Sequence, residues 1–143
     1  MLPLYFKQYP APESFDHALG FAYDALVRSD VAFDAHAVWK SLGERIAQGI
    51  YMGDGLLLPH TRVQGLAEPL AAFAVCPEGF SGVNTRRGEK AQFLCVLLSP
   101  AESATAHTLV IAQLAKLLLD GGWKSRALAA KSDDDVKALF ETN

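Results

Sequence analysis

Two hydrophobic rhythms share this chain. Over residues 14 to about 29, apolar positions recur at helical spacing, with Phe15, Leu19, Ala22 and Leu26 on one stripe and Ser14 as N-cap. Asp34 starts a second helix that runs to about residue 48. Its inward face is Val38, Trp39, Leu42 and Ile46, and Phe33 and Val38 bracket the cap as a hydrophobic staple. After Gly49 the runs shorten. Residues 56–58 and 70–76 are brief apolar stretches bounded by Gly and Pro, and residues 92–98 are apolar after the first, as in a strand covered on both faces. Residues 81–90 are polar, with Gly82, Gly88, Arg86, Arg87 and Lys90, and read as a loop or hairpin connection. A third helix follows Pro100, with Leu109, Ala112, Leu114, Leu117 and Leu118 at helical spacing, and stops at Gly121 and Gly122. Residues 123–130 read as a shorter helix. Ser132 caps a last one, whose first turn carries Asp133, Asp134 and Asp135, where the helix dipole favours negative charge. Residues 3–13 hold Pro3, Pro10 and Pro12 and read as an extended lead-in, with a short strand at residues 4–7. The fold class is therefore α/β: a three-layer sandwich, with a mixed sheet of four to five short strands flanked by helices on both faces.

Composition narrows the function classes. A chain of 143 residues, half of them hydrophobic and a fifth charged, builds one domain with an ordinary core. A net charge of −3 without a basic run gives no general attraction to nucleic acid or to an acidic membrane. No apolar stretch reaches membrane-spanning length, and Met1 to Lys7 lack the charged start and long apolar run of a signal peptide, so a cytoplasmic location is expected. Cys76 and Cys95 fall in strand-like runs and read as small core residues in a reducing compartment, with a disulfide between neighbouring strands as the alternative. Two cysteines without metal-ligand spacing do not suggest zinc. No Gly-x-Ser-x-Gly elbow marks a hydrolase. His17 and His36 fall in the first turns of the first two helices and read as solvated.

The remaining candidate chemistry lies in Gly53-Asp54-Gly55-Leu56-Leu57-Leu58-Pro59-His60-Thr61-Arg62. This reads as a turn, a short buried strand, and a histidine held just past the strand end by a proline. Pro59 fixes its own φ and pushes Leu58 into an extended conformation. A rigid imidazole at the lip of a sheet suits a nucleophilic or phosphoryl-accepting histidine; a structural histidine in a turn fits the same local residues. Imidazole is a good phosphoryl acceptor near neutral pH, provided that one ring nitrogen attacks while the other donates its proton to a carbonyl or similar acceptor.

The same stretch resembles the active-site segment of the fructose/mannitol-type IIA domains of the bacterial phosphoenolpyruvate:sugar phosphotransferase system. Their pattern is similar to Gly-acidic-or-Asn-Gly, three apolar residues, Pro-His, a small residue, and often Arg or Lys. The resemblance continues through Leu66-Ala67-Glu68-Pro69-Leu70, through Pro77-Glu78-Gly79-Phe80, and through the strand Phe93-Leu94-Cys95-Val96-Leu97-Leu98-Ser99-Pro100. His107-Thr108-Leu109 opens a helix where the family carries a second histidine. It covers residues 14 to 141, nearly the whole chain.

The resemblance implies the same three-layer fold and a set of roles. His60 would be phosphorylated, His107 would stabilise the phosphoryl group, and Arg62 would contact the phosphate or a partner's acidic rim. Arg45 would be the family's upstream arginine, placed there by a one-residue gap. The Glu that follows that arginine in the family, and its Ser/Thr pair, are missing here; Thr61 offers a hydroxyl in their place. The implied partners are an HPr-like phosphocarrier protein upstream and a IIB component downstream, with no metal or organic cofactor. A zinc site built from His60, His107 and a carboxylate is the alternative use of these side chains. The docking rim is expected among Met52, Phe80 and Val63, with residues 56–58 buried. The second functional reading is a nitrogen-type regulatory IIA protein, phosphorylated on the same His60 but controlling a kinase or ion transporter. The absence of a fused IIB or IIC segment and the diverged turn make that reading competitive.

Overall fold

The computed structural model describes residues 3–141. In chain order the elements are β1 (Tyr5–Gln8), β2 (Glu13–Ser14), α1 (Phe15–Val27), α2 (Ala35–Gln48), β3 (Leu56–Leu57), β4 (His60–Val63), β5 (Leu70–Val75), β6 (Phe80–Ser81), β7 (Phe93–Pro100), α3 (Ala104–Leu119), α4 (Gly121–Ala129) and α5 (Asp133–Glu141). β7 organises the sheet. It pairs antiparallel with β5 on one side and parallel with β3 and β4 on the other, and β1 adds to β5 in parallel. The sheet is mixed and five-stranded, within the four to five strands expected.

Strand alternation divides the core into two layers. Leu94, Val96 and Leu98 of β7 pack with Phe15, Leu19 and Leu26 of α1 and Val38 and Leu42 of α2. Phe93, Cys95 and Leu97 point the other way, onto Val110, Leu114 and Leu118 of α3, Trp123 of α4 and Val136 of α5. Every residue of β7 is buried, which is why its sequence is apolar without alternation. Both cysteines are buried and free, so no disulfide joins them. Among the described residues no helix is long and apolar enough to cross a membrane.

The helix starts follow the sequence. Ser14 Oγ accepts the His17 N–H at 3.1 Å, Asp34 Oδ1 accepts the Ala37 N–H at 3.0 Å, and Ser132 Oγ accepts the Asp135 N–H at 3.1 Å. Several details differ. Trp39 is 44 % exposed, its ring 4.8 Å from that of Tyr23 at the edge of the core, so Val38, Leu42 and Ile46 carry the inward face of α2 alone. On α3 the buried stripe is Val110, Leu114 and Leu118, and Leu109 is 56 % exposed. This helix is apolar almost all round, which leaves the phase of its buried face undetermined by periodicity. Gly121 and Gly122 do not end α3; they open α4. Asp120 ends one helix by donating its N–H to the Leu117 carbonyl, and starts the next by accepting the N–H groups of Gly122 (2.9 Å) and Trp123 (3.2 Å) on its carboxylate. No hairpin forms over residues 81–90. β6 pairs in parallel with β2, and the residues after it form a loop.

Candidate functional site

β3 and β4 are one strand broken at Leu58 and Pro59. Leu57 lies opposite Leu94 and His60 opposite Leu97, so both halves keep the same register against β7. His60 is thus the first residue of a strand, where the sequence suggested a position just past a strand end. Pro59 removes only its own N–H; its carbonyl still accepts the Leu97 N–H at 3.0 Å, and the chain stays extended. Leu58 is held on both sides. Its N–H donates to the Ile50 carbonyl at 2.9 Å, and its carbonyl accepts Nδ1–H of His60 at 2.7 Å. A carbonyl can only accept, so the proton is on Nδ1 and Nε2 is the free nitrogen. The approach to this strand is a turn of three left-handed residues, Gly53 (φ 88°), Asp54 (φ 53°) and Gly55 (φ 82°). Gly55 is favoured by its positive φ, which would strain a side chain, while a Cβ there would meet the Phe93 ring and the Lys90 carbonyl at a close 3.4 Å.

Alternation along β4 decides which side chains meet. His60 and Arg62 lie on the face shared by Leu97 and Ser99, under α3; Thr61 and Val63 lie on the face of α1 and α2. His107, in the first turns of α3, completes the group. Its ring is 5.3 Å from that of His60, tilted by 36°, and its Nδ1 is 2.8 Å from Ser99 Oγ. Burial holds the pKa of His107 below its ordinary value, and the nearby titratable His60 and the cations Arg62 and Arg45 push in the same direction, since each disfavours a second positive charge beside it. Arg45 comes from α2 on the opposite layer, and its charge is the smallest of the contributions that lower the pKa of His107. Both arginines are exposed, and neither forms an ion pair among the described residues. Of the four side chains picked from the sequence, the two rings lie against each other, and the two arginines act on His107 electrostatically.

Other expectations change. Thr61 does not supply the missing hydroxyl, because it is buried on the far face with its Oγ1 hydrogen-bonded to Ser41 Oγ of α2. Of the apolar rim, Met52 is exposed, whereas Phe80 and Val63 are buried in the core with Phe15 and Leu19. Residues 56–58 are buried, as expected. His17 is exposed beside Glu13 and the Phe21 ring, and His36 is exposed; neither approaches the pair. No group of three or more His, Cys, Asp or Glu among the described residues could hold a metal ion, which leaves the zinc alternative without a ligand set. Ser99, buried at the end of β7, was not singled out from the sequence, where it reads as the tail of an apolar run. Chemically, the arrangement is an imidazole with one nitrogen fixed as a donor and the other free, beside a second imidazole and two cations. Such a site can receive an anionic group in transfer.

Residues 8–143 match the family model described as "Phosphoenolpyruvate-dependent sugar phosphotransferase system, EIIA 2". The chain belongs to this family. Among curated proteins, this EIIA 2 chain is 25 % identical over 130 residues to the "PTS system fructose-specific EIIA component" of Haloferax volcanii, an alignment covering 90 % of this chain and 84 % of the relative. Solved structures share its fold. The nitrogen regulatory protein IIA-Ntr of Neisseria meningitidis matches with a TM-score of 0.75 at 22 % identity, covering 96 % of this chain and 94 % of that one. The mannitol IIA of Escherichia coli matches with a TM-score of 0.69 at 19 % identity, covering 92 % of this chain and 94 % of that one. The mannitol protein has also been solved in complex with phosphorylated IIB, and that structure matches with a TM-score of 0.69 at 18 % identity, covering 95 % of this chain and 94 % of that one.

Proposed function

We propose that the chain is a phosphocarrier, the phosphotransferase component that takes a phosphoryl group from the phosphohistidine of HPr or a paralogue and passes it to a IIB component in phosphoenolpyruvate-dependent sugar uptake. One observation carries this reading: Nδ1–H of His60 is engaged by the Leu58 carbonyl, which leaves Nε2 as the nucleophile beside His107. Attack is in line. A new N–P bond forms at Nε2 as the N–P bond of the donor histidine breaks, and the donor ring keeps that electron pair. Onward transfer reverses the roles, with the acceptor side chain of IIB attacking phosphorus. His107 donates to a phosphoryl oxygen, while Arg62 and Arg45 offset its charge. No metal or organic cofactor takes part, and the reading puts the chain in the cytoplasm. The complex of the mannitol relative with phosphorylated IIB supports the choice of downstream partner.

The second reading keeps His60 and changes the output: a nitrogen-type regulatory protein whose phosphorylation state controls a kinase or ion transporter without moving sugar. The hydroxyls of the site favour it. Residues 49–53 contain no Ser or Thr, and Thr61 faces the other layer. Fewer donors to the phosphoryl group slow its transfer more than they prevent phosphorylation, which suits a marker of state.

The test is phosphorylation with phosphoenolpyruvate, enzyme I and HPr, read by intact mass. An acid-labile phosphate is expected on the wild type and none on His60→Ala. Folded protein that takes no label from several carriers would overturn both readings. Adding a IIB component then separates them, because uptake requires the label to leave the chain.

A further inference from the structure

We propose that Ser99 is a positioning residue for His107: its hydroxyl donates to Nδ1 and so holds the ring in the tautomer that carries its proton on Nε2. The purpose of this arrangement rests on the phosphocarrier reading; its direction rests on hydrogen-bond accounting. The 2.8 Å contact between Ser99 Oγ and His107 Nδ1 could run either way. Ser99 is fully buried, and His107 is its only side-chain hydrogen-bond partner among the described residues. If Nδ1–H donated to Oγ, the serine proton would be buried with no acceptor. If the serine donates, its proton and the Nδ1 lone pair are both satisfied, and the second arrangement wins.

The consequence falls on the other edge of the ring. With Nδ1 occupied as an acceptor, Nε2 carries the N–H and can donate to an oxygen of a group on His60, 5.3 Å away between ring centres. The opposite tautomer would turn a lone pair toward the same anionic oxygens and repel them. A doubly protonated ring would escape this choice, but burial, the titratable His60 and the cations Arg62 and Arg45 disfavour it. The location of Ser99 fits a positioning role. The residues before it on the same face of β7, Phe93, Cys95 and Leu97, are all apolar core, and the one polar side chain of that face falls under His107.

The experiment is long-range proton–nitrogen correlation on uniformly labelled, unphosphorylated protein at about pH 8, where a histidine near its ordinary pKa is neutral. Wild type should show His107 as the Nε2–H tautomer, with the Nδ1 resonance displaced by an accepted hydrogen bond. Ser99→Ala should lose that displacement, admit the Nδ1–H form, and lower the equilibrium phosphorylation of His60 about tenfold, the scale of one positioned hydrogen bond. Ser99→Thr, which keeps the hydroxyl, should restore both. An Nδ1–H ring in the wild type, or an unchanged ring in Ser99→Ala, would overturn the assignment. Lost packing alone would lower stability without changing the tautomer, and the wild-type spectrum decides the question if the variants fold poorly. Because the spectra need no phosphate, failure to label with the expected tautomer in place would count against the phosphocarrier reading and leave the Ser99 assignment standing.

Discussion

His60 and His107 lie side by side, and their Nδ1 atoms have different partners. One ring leans on a carbonyl, which can only accept; the other leans on a buried hydroxyl. The depressed pKa of His107 makes it a stability element as well. Its unfolded state binds the proton more tightly, so the stability of the neutral, half-buried ring is fully present above the ordinary value of 6.5 and is lost as pH falls below it toward the lowered folded value. Urea midpoints of the wild type should therefore decline from about pH 7.5 to about pH 5.5 more steeply than those of His107→Gln, with groups common to both cancelling in the comparison. Equal slopes would mean that the ring titrates alike folded and unfolded. Local sequence left His60 open between a structural and a reactive histidine; it was the resemblance along the chain that singled out His107, Arg62 and Arg45 beside it. The Ser99 and Thr61 contacts were not legible, because each depends on which face of the sheet a residue meets, and that is set by the register of β4 on β7.

Among the elements, the helices were the easier reading. Their caps are chemically distinctive, and α1 and α2 alternate polar and apolar faces. The errors arose where a local signal had two meanings. A glycine pair usually ends a helix, but at Gly121 and Gly122 the preceding aspartate closes one helix and nucleates the next. Asp120→Ala should therefore destabilise the fold by about 1 kcal/mol, the usual loss for an N-cap carboxylate, visible in chemical denaturation, with labelling of His60 unchanged. Labelling that falls along with stability would show that α4 supports the site. β4 went unread because a proline normally closes a strand, whereas Pro59 keeps its acceptor in the ladder. The β2–β6 pair is two residues long on each side, too short for any periodicity.

For the whole molecule, the three layers place β7 at the centre, buried on both faces and hydrogen-bonded on both edges. Its amides, from Leu94 to Leu98, should be the last to exchange with deuterated solvent, and those of residues 82–88 among the first. Early exchange in β7 would mean that the sheet opens locally rather than with the fold. The constant register of β3 and β4 has a further consequence for how chain length can vary. A residue gained or lost between Gly55 and His60 would carry Thr61 or Pro59 onto the α3 face and turn His60 inward, away from His107. That spacing is fixed by geometry. Residues 50–52 share the constraint, because Met52 N–H donates to the Leu56 carbonyl, Leu58 N–H donates to the Ile50 carbonyl, and Tyr51 pairs antiparallel with Leu57; a one-residue difference between Arg45 and His60 is therefore taken up before Ile50, where α2 ends at Gly49.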